Sequence, residues 1–334
     1  MLIQMGWHCA EPTGRRYASP EDINSATTQS RKAEESLGAS ITSVMTLIAG
    51  PGATGALSDI VAALVAVLPI DGPPDWLAPG VACDLPLRRM PAGDAEAAAR
   101  GLIGDAAVDV LVQPAAGRRK RVLVADLEST IIENEMLDEL ADFVGLRAHV
   151  AEITRKAMNG ELDFAAALAE RVGLLRGLPA TVLDEAATRI RLMPGARELV
   201  ATSRAAGVCT ALVSGGFTVF ANSVAAELGF DRVVANRLDI AGDRIAGTVR
   251  APIVTRETKH DTLLAIAAEC GVSPAAALAI GDGANDLPML AAAGLGLAFH
   301  AKPAVAAASR WRIDHADLTA ALYAQGYHRQ EIIR

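Results

Sequence analysis

Four short stretches hold side chains whose types and spacing could do chemistry. Asp126-Leu127-Glu128-Ser129-Thr130 places two carboxylates directly after the apolar run Val122-Leu123-Val124-Ala125. Residues i and i+2 of an extended chain point the same way. Asp126 is therefore suited to nucleophilic attack on phosphorus and Glu128 to acid–base work beside it; the plainer reading of such a pair is loop solvation. Leu212-Val213-Ser214-Gly215-Gly216 ends another apolar run with a hydroxyl and two glycines. That pattern either cradles a phosphate with backbone N–H groups or simply turns a strand into a helix. Lys259, in Thr258-Lys259-His260-Asp261, is alone an ordinary surface lysine and gains meaning only as a cation for the other three stretches. Gly281-Asp282-Gly283-Ala284-Asn285-Asp286 carries two carboxylates around a glycine turn, which suits an oxygen-ligated cation such as Mg²⁺. The long acidic loop of an EF-hand and its closing Glu are missing.

These stretches need a scaffold that brings them together. Apolar runs at 122–125, 208–213, 277–280 and 295–299 predict buried parallel strands, and three of the four stretches follow such a run, at the strand's carboxyl end. Residues 133–192 read as mainly helical. A strand, a helical insertion and then alternating strands and helices predict an α/β doubly wound, Rossmann-like parallel sheet with a helical cap after its first strand. Upstream, residues 45–117 alternate as βαβαβ: a strand at 45–49, a helix bearing Leu57, Ile60, Val61, Leu64 and Val65, a strand near 81–88, a helix near 93–104 and a strand at 107–113. No site chemistry is visible in this block; it reads as a docking or homodimerisation module, with effector binding as the alternative. Gly117-Arg118-Arg119-Lys120-Arg121 reads as a linker into a domain spanning 118–334. Residues 1–44 are polar and aperiodic and read as a disordered leader. Met45, opening the first clean strand, is a candidate alternative start.

Composition narrows the function classes. The chain has 334 residues, 51% hydrophobic and 21% charged, with a net charge of −8. That balance supports a sizeable core and argues against a general nucleic-acid binder, which needs a basic surface. The basic linker has no interleaved aromatics for stacking bases. No apolar run is long enough for a membrane span, and no signal pattern opens the chain. Cys9, Cys83, Cys209 and Cys270 form no C-x-x-C pair. Cys209 and Cys270 read as small buried hydrophobes, which fits a reduced, cytoplasmic setting.

The four stretches, in this order, resemble the haloacid dehalogenase (HAD) superfamily, and over about 118–334 its phosphoserine phosphatase branch. Glu133-Asn134-Glu135-Met136-Leu137-Asp138-Glu139, Ala157-Met158-Asn159-Gly160-Glu161-Leu162-Asp163-Phe164 and Arg171-Val172-Gly173-Leu174-Leu175 extend the likeness into the cap, expected at about 133–192. The 45–117 block resembles the ACT-like domain that precedes some of these enzymes. The resemblance implies a Mg²⁺-dependent hydrolysis of O-phospho-L-serine to L-serine and phosphate, the last step of serine synthesis. Asp126 would be the nucleophile and a metal ligand. Asp282 and the backbone carbonyl of Glu128 would also ligate, and Asp286 would support the ion directly or through water. Ser214, Gly215 and Gly216 would hold the phosphate, Lys259 would neutralise charge, and Asn285 would position groups around the phosphate. In the cap, Glu135 would meet the substrate ammonium and Arg171 its carboxylate, while Phe164 and Met158 would close the pocket. The family usually carries Asp where this chain has Glu128. That departure leaves two alternatives open: a phosphatase or phosphotransferase for another small phosphate monoester, and a non-catalytic phosphoserine-binding regulator.

Overall fold

The computed structural model describes residues 43–159 and 161–334, apart from the side chain of Met158. The expected leader therefore lies outside the described residues, except that its last two positions already belong to a strand. β1 (Ser43–Ala49), α1 (Leu57–Val67), β2 (Asp75–Ala78), β3 (Ala82–Leu87), α2 (Ala92–Ile103) and β4 (Val108–Pro114) form the first unit of the fold. The sheet order is β2-β3-β1-β4, all neighbours antiparallel. This is the split βαββαβ arrangement, not the three-stranded βαβαβ expected. The missed strand is β2: four residues in a stretch dense in Pro, Gly and Asp offer no period to read.

Both faces of this sheet are covered, and the alternation of residues shows how. Met45, Leu47, Val110 and Val112 pack under α1 and α2 with Leu57, Val61 and Leu64. The residues between them, Thr46, Ile48, Asp109, Leu111 and Gln113, are also buried, and Ile48 and Leu111 join the core of the larger domain. Buried polar groups need partners, and these find them across the seam. Asp109 accepts hydrogen bonds from the backbone N–H groups of Asp314, His315 and Ala316 at 2.7–3.2 Å. Gln113 donates to Ala324 O, and Trp311 Nε1 donates to Val112 O. Arg118, read from sequence as part of a plain linker, pairs with Asp84 and also donates to Thr46 Oγ1 and the carbonyls of Tyr323 and Ala324.

The larger domain continues with β5 (Val122–Ala125), α3 (Met136–Asp142), α4 (Arg147–Met158), α5 (Phe164–Gly173), α6 (Val182–Ala187), α7 (Ala196–Ala205), β6 (Cys209–Phe217), α8 (Thr218–Leu228), β7 (Arg232–Ala241) and β8 (Arg244–Arg250). It ends with α9 (Arg256–Glu269), β9 (Ala277–Gly281), α10 (Leu287–Ala292), β10 (Leu295–Phe299), α11 (Pro303–Ala308), β11 (Trp311–Ile313) and α12 (Ala320–Tyr323). Its seven strands run in the order β11-β10-β9-β5-β6-β7-β8, parallel except for the β7–β8 hairpin. From β5 the chain first adds strands on one side through β6 and then on the other through β9. The crevice at the carboxyl ends of β5 and β9 is thus a topological switch point, where open α/β sheets bind ligands.

Helices α3 to α6 follow β5 as the sequence predicts. The hairpin does not: β7 and β8 lack a continuous apolar run, and the hairpin contacts the α5–α6 segment through Gly177 N to Ile245 O in β8 and Ala180 N to Asp243 O in its turn. Cys209, the first residue of β6, and Cys270, just after α9, are joined as a disulfide. This corrects their reading as unpaired hydrophobes: residues 61 apart in sequence give no spacing signal of their meeting. No helix among the described residues is long and apolar enough to cross a membrane.

Arg118 and Asp84 are nearly buried, at 13% and 5% side-chain exposure. Breaking a buried pair leaves one charge uncompensated. Arg118→Met should lower the unfolding free energy in urea by about 3 kcal/mol. A loss within the ~1 kcal/mol of a surface ion pair would show that the seam does not depend on it.

Candidate active site

The site is assembled from strand ends. Asp126 leaves β5 with its N–H bonded to Ile280 O, so β9 fixes its entry angle. Lys259 sits in the first turn of α9, whose start is set by a Thr255–Thr258 capping box. Its ammonium lies 2.7 Å from Asp126 Oδ1 and 2.7 Å from Asp286 Oδ1, and the side chain is buried. Asp286 turns its other oxygen to the backbone N–H groups of Asp282 and Gly283. Asp282, at the end of β9, pairs with Lys302. The carboxylates of Asp126, Asp282 and Asp286 all lie within 4.8 Å of one another and are buried.

Three buried carboxylates so close repel by roughly 3 kcal/mol per pair at an effective dielectric of about 20. Burial, then Asp286, pushes Asp126 well above the ordinary carboxylate range against the pull of Lys259. Burial likewise lifts Asp282 to about 7, with Lys302 opposing. Burial works against the charge on Lys259, but Asp126 and Asp286 outweigh it and hold the ammonium above its usual range. Two lysines leave this all-oxygen cluster short of positive charge. The donors, their spacing and their burial fit a hard divalent cation. Asn285, in the same turn, has a buried Oδ1 with no hydrogen-bond partner among the described residues.

β6 supplies the opposite wall. Ser214 is buried, and its Oγ accepts from Gly216 N at 2.8 Å. Gly215 O accepts from Asn236 Nδ2, while Asn236 Oδ1 accepts from Val254 N. Asn236 thereby pins the Ser-Gly-Gly turn from behind. The glycines are required by close approach: a Cβ on Gly215 would stand 2.7 Å from Phe164 Cζ, and one on Gly216 2.6 Å from Glu128 Oε2. Glu128 is fixed by Met136 N, which donates to Oε1, and lies 3.5 Å from Ser214 Oγ through Oε2. Burial, then the neighbouring Glu135, raises its pKa to about 8. A carboxyl kept protonated at neutral pH can deliver a proton.

The cap closes over this wall. Glu135 accepts from Ser129 Oγ at 2.7 Å, and Ser129 holds a left-handed backbone (φ 56°) that turns its side chain there. Arg171, in α5, is buried; it donates to Ala167 O and to Thr154 Oγ1, and Thr154 donates onward to Asp138. Glu128, Glu135, Leu137, Phe164, Leu168, Arg171 and residues 215–217 line a cavity of about 20 Å³. That is room for about one water. Nothing much larger than a water fits in this space.

The structure thus brings together Asp126, Glu128, Lys259, Asp282, Asp286, Asn285, Ser214, Gly215 and Gly216, with Glu135, Arg171 and Phe164 on the cap side. The side chain of Met158 and Gly160 lie outside the described residues. Sequence reasoning missed Lys302, Asn236 and Ser129. Lys302 was within reach: it lies three residues past the strand 295–299, at the same rim as the other motifs. Asn236 sits in a strand that had not been recognised.

The sequence model of haloacid dehalogenase-like hydrolases matches residues 123–291. Among curated proteins, the chain is 44% identical over 227 residues to the phosphoserine phosphatase SerB2 of Mycobacterium tuberculosis, covering 67% of this chain and 56% of that protein. It is 43% identical over 203 residues to the phosphoserine phosphatase of Lactococcus lactis, covering 61% of this chain and 94% of that one. The chain spans little more than half the length of the longer relatives. A solved structure titled as a phospho-aspartyl intermediate analogue of phosphoserine phosphatase superposes with a TM-score of 0.59 at 36% identity, covering 61% of this chain and 98% of that one.

The contact between Gly216 and Glu128 gives a direct test. Gly216→Ala should push the Glu128 carboxyl aside, and a misplacement of about 1 Å costs on the order of 100-fold in turnover. Melting temperature should fall by only a few degrees, since the clash is with the far end of a side chain that can move. Near-normal turnover of small phosphate monoesters by this variant would show that the Glu128 position is not critical.

Proposed function

We propose that this chain, which belongs to the haloacid dehalogenase-like hydrolases, hydrolyses O-phospho-L-serine to L-serine and phosphate, as the last step of serine synthesis. The observation that carries the reading is Asp126 held against buried Lys259, with buried Glu128 facing the same Ser214 turn. In the proposed first half-reaction an Asp126 oxygen attacks phosphorus and the serine oxygen leaves with a proton from Glu128. In the second, Glu128 takes a proton from water, which hydrolyses the aspartyl-phosphate. Lys259, Ser214 Oγ and the amides of Gly215 and Gly216 would neutralise charge on the phosphoryl oxygens.

Asp126, Asp282 and the Glu128 carbonyl would hold Mg²⁺, which when bound offsets phosphoryl charge. Asp286 already engages Lys259 and two amides, so it would reach the ion through water. Asn285 Oδ1 would orient that water shell or the phosphate. Glu135 would meet the substrate ammonium and Arg171 its carboxylate, with Phe164 and Met158 shutting the pocket. Glu128 in place of the family's Asp keeps a different small phosphate monoester, or transfer to an acceptor other than water, as a second reading. The N-terminal unit is proposed as an ACT-like module able to pair two copies.

Two variants test the roles. Arg171→Lys keeps the charge and loses the two-pronged grip on a carboxylate. It should depress phosphoserine turnover far more than turnover of an aryl phosphate; equal losses would make Arg171 a structural residue. Glu128 must carry its proton to act as acid, so kcat/KM should fall as pH rises through about 8. Glu128→Gln should remove that limb and cost roughly 100- to 10,000-fold. Retained turnover with an unchanged pH profile would assign the proton to another group.

A further inference from the structure

Lys302 is fixed from an unexpected direction. Its ammonium pairs with Asp282, and its N–H donates to Asp282 O at 3.1 Å. It is delivered there by His300, which holds a left-handed backbone (φ 42°) uncommon for a residue with a side chain. Such outliers persist only where the surroundings over-determine them, and they cluster at functional sites. Three contacts hold His300: its ring stacks on Phe299 at 4.1 Å, its N–H donates to Ile313 O, and its Nε2 lies 2.9 Å from Ala316 O. A carbonyl only accepts, so Nε2 carries the hydrogen. The 314–316 turn is in turn gripped by Asp109 of β4, through three successive backbone N–H groups.

We propose that Asp109 of the N-terminal unit is a positioning residue for the active site: through the 314–316 turn and His300 it holds Lys302 against Asp282 and so sets the strength of the cation site. The N-terminal unit, on this view, is a working part of the catalytic domain. Lys302 places a positive charge beside the incoming dication and fixes one Asp282 oxygen. Losing either support lets the ammonium drift into solvent, makes the cluster more negative, and tightens divalent binding.

The inference rests on Asp282 being a cation ligand, and the test separates the two ideas. Mn²⁺ binding is measured on the full chain at pH 8 by electron paramagnetic resonance of the free ion, without substrate. Lys302→Met should tighten binding roughly tenfold, from relief of like charge. His300→Ala and Asp109→Asn should tighten it in the same direction, by about threefold as a partial loss of that charge. His300→Gln, which keeps a donor for Ala316 O, should match the wild type. In the Lys302→Met background, His300→Ala should add nothing, because its effect passes through Lys302. Equal effects of His300→Ala with and without Lys302, or none in the wild-type background, would overturn the relay while leaving the cation site standing. Binding no stronger than in Asp282→Asn would sink the cation site and the relay together.

Discussion

The rest of the site depends on the Lys259 ammonium, buried between Asp126 and Asp286. Removing one partner of a buried ion pair costs about 3–5 kcal/mol, far more than a surface pair contributes. The pair therefore ties α9 to the ends of β5 and β9 and fixes where a nucleophile at Asp126 can point. Three carboxylates against Lys259 and Lys302 leave one negative charge uncompensated, an electrostatic reason for the cluster to favour a cation. Folding and catalysis place opposite demands on these carboxylates: burial resists their charge, and the chemistry needs it.

Around that centre, position is fixed by groups that do not line the cavity. Asn236 pins the Ser214–Gly216 turn, the Met136 amide fixes Glu128, and Ser129 turns Glu135 toward the pocket. The cap rests on this wall through Phe164 over Gly215. The same logic extends to the seam with the N-terminal unit, where buried Asp109 is met by backbone N–H groups of the larger domain and buried Asp84 by Arg118 together with Thr46 of its own sheet. Such polar seams specify one arrangement, because slipping would orphan several buried donors and acceptors at once.

The chemistry was more legible in the sequence than the architecture. Asp126, Ser214, Lys259 and Asp282 each sit in a short motif, and three of them follow an apolar run that ends at the sheet rim. The first strand, the helical cap and the strands at 277–281 and 295–299 follow from the same runs. β2 and the β7–β8 hairpin did not show, because four residues between turn signals, and strands with half-exposed faces, lack a clear period. Lys302, Asn236 and the Cys209–Cys270 contact are meetings of distant segments, which no local pattern encodes. The polar residues Thr46, Asp84 and Asp109 alternate with apolar strand neighbours, a pattern that reads as a solvated face, so the covering of the second face of the N-terminal sheet did not show.

The central claim is that Asp126 becomes phosphorylated by phosphoserine. It is tested most directly by acid-quenching the chain during turnover with phosphoserine and Mg²⁺ and mapping the added phosphoryl group by peptide mass spectrometry. The account predicts a hydroxylamine-sensitive phosphoryl group on Asp126, absent in Asp126→Asn. A phosphoryl group on Ser214, or phosphate release with no covalent intermediate at any quench time, would contradict it.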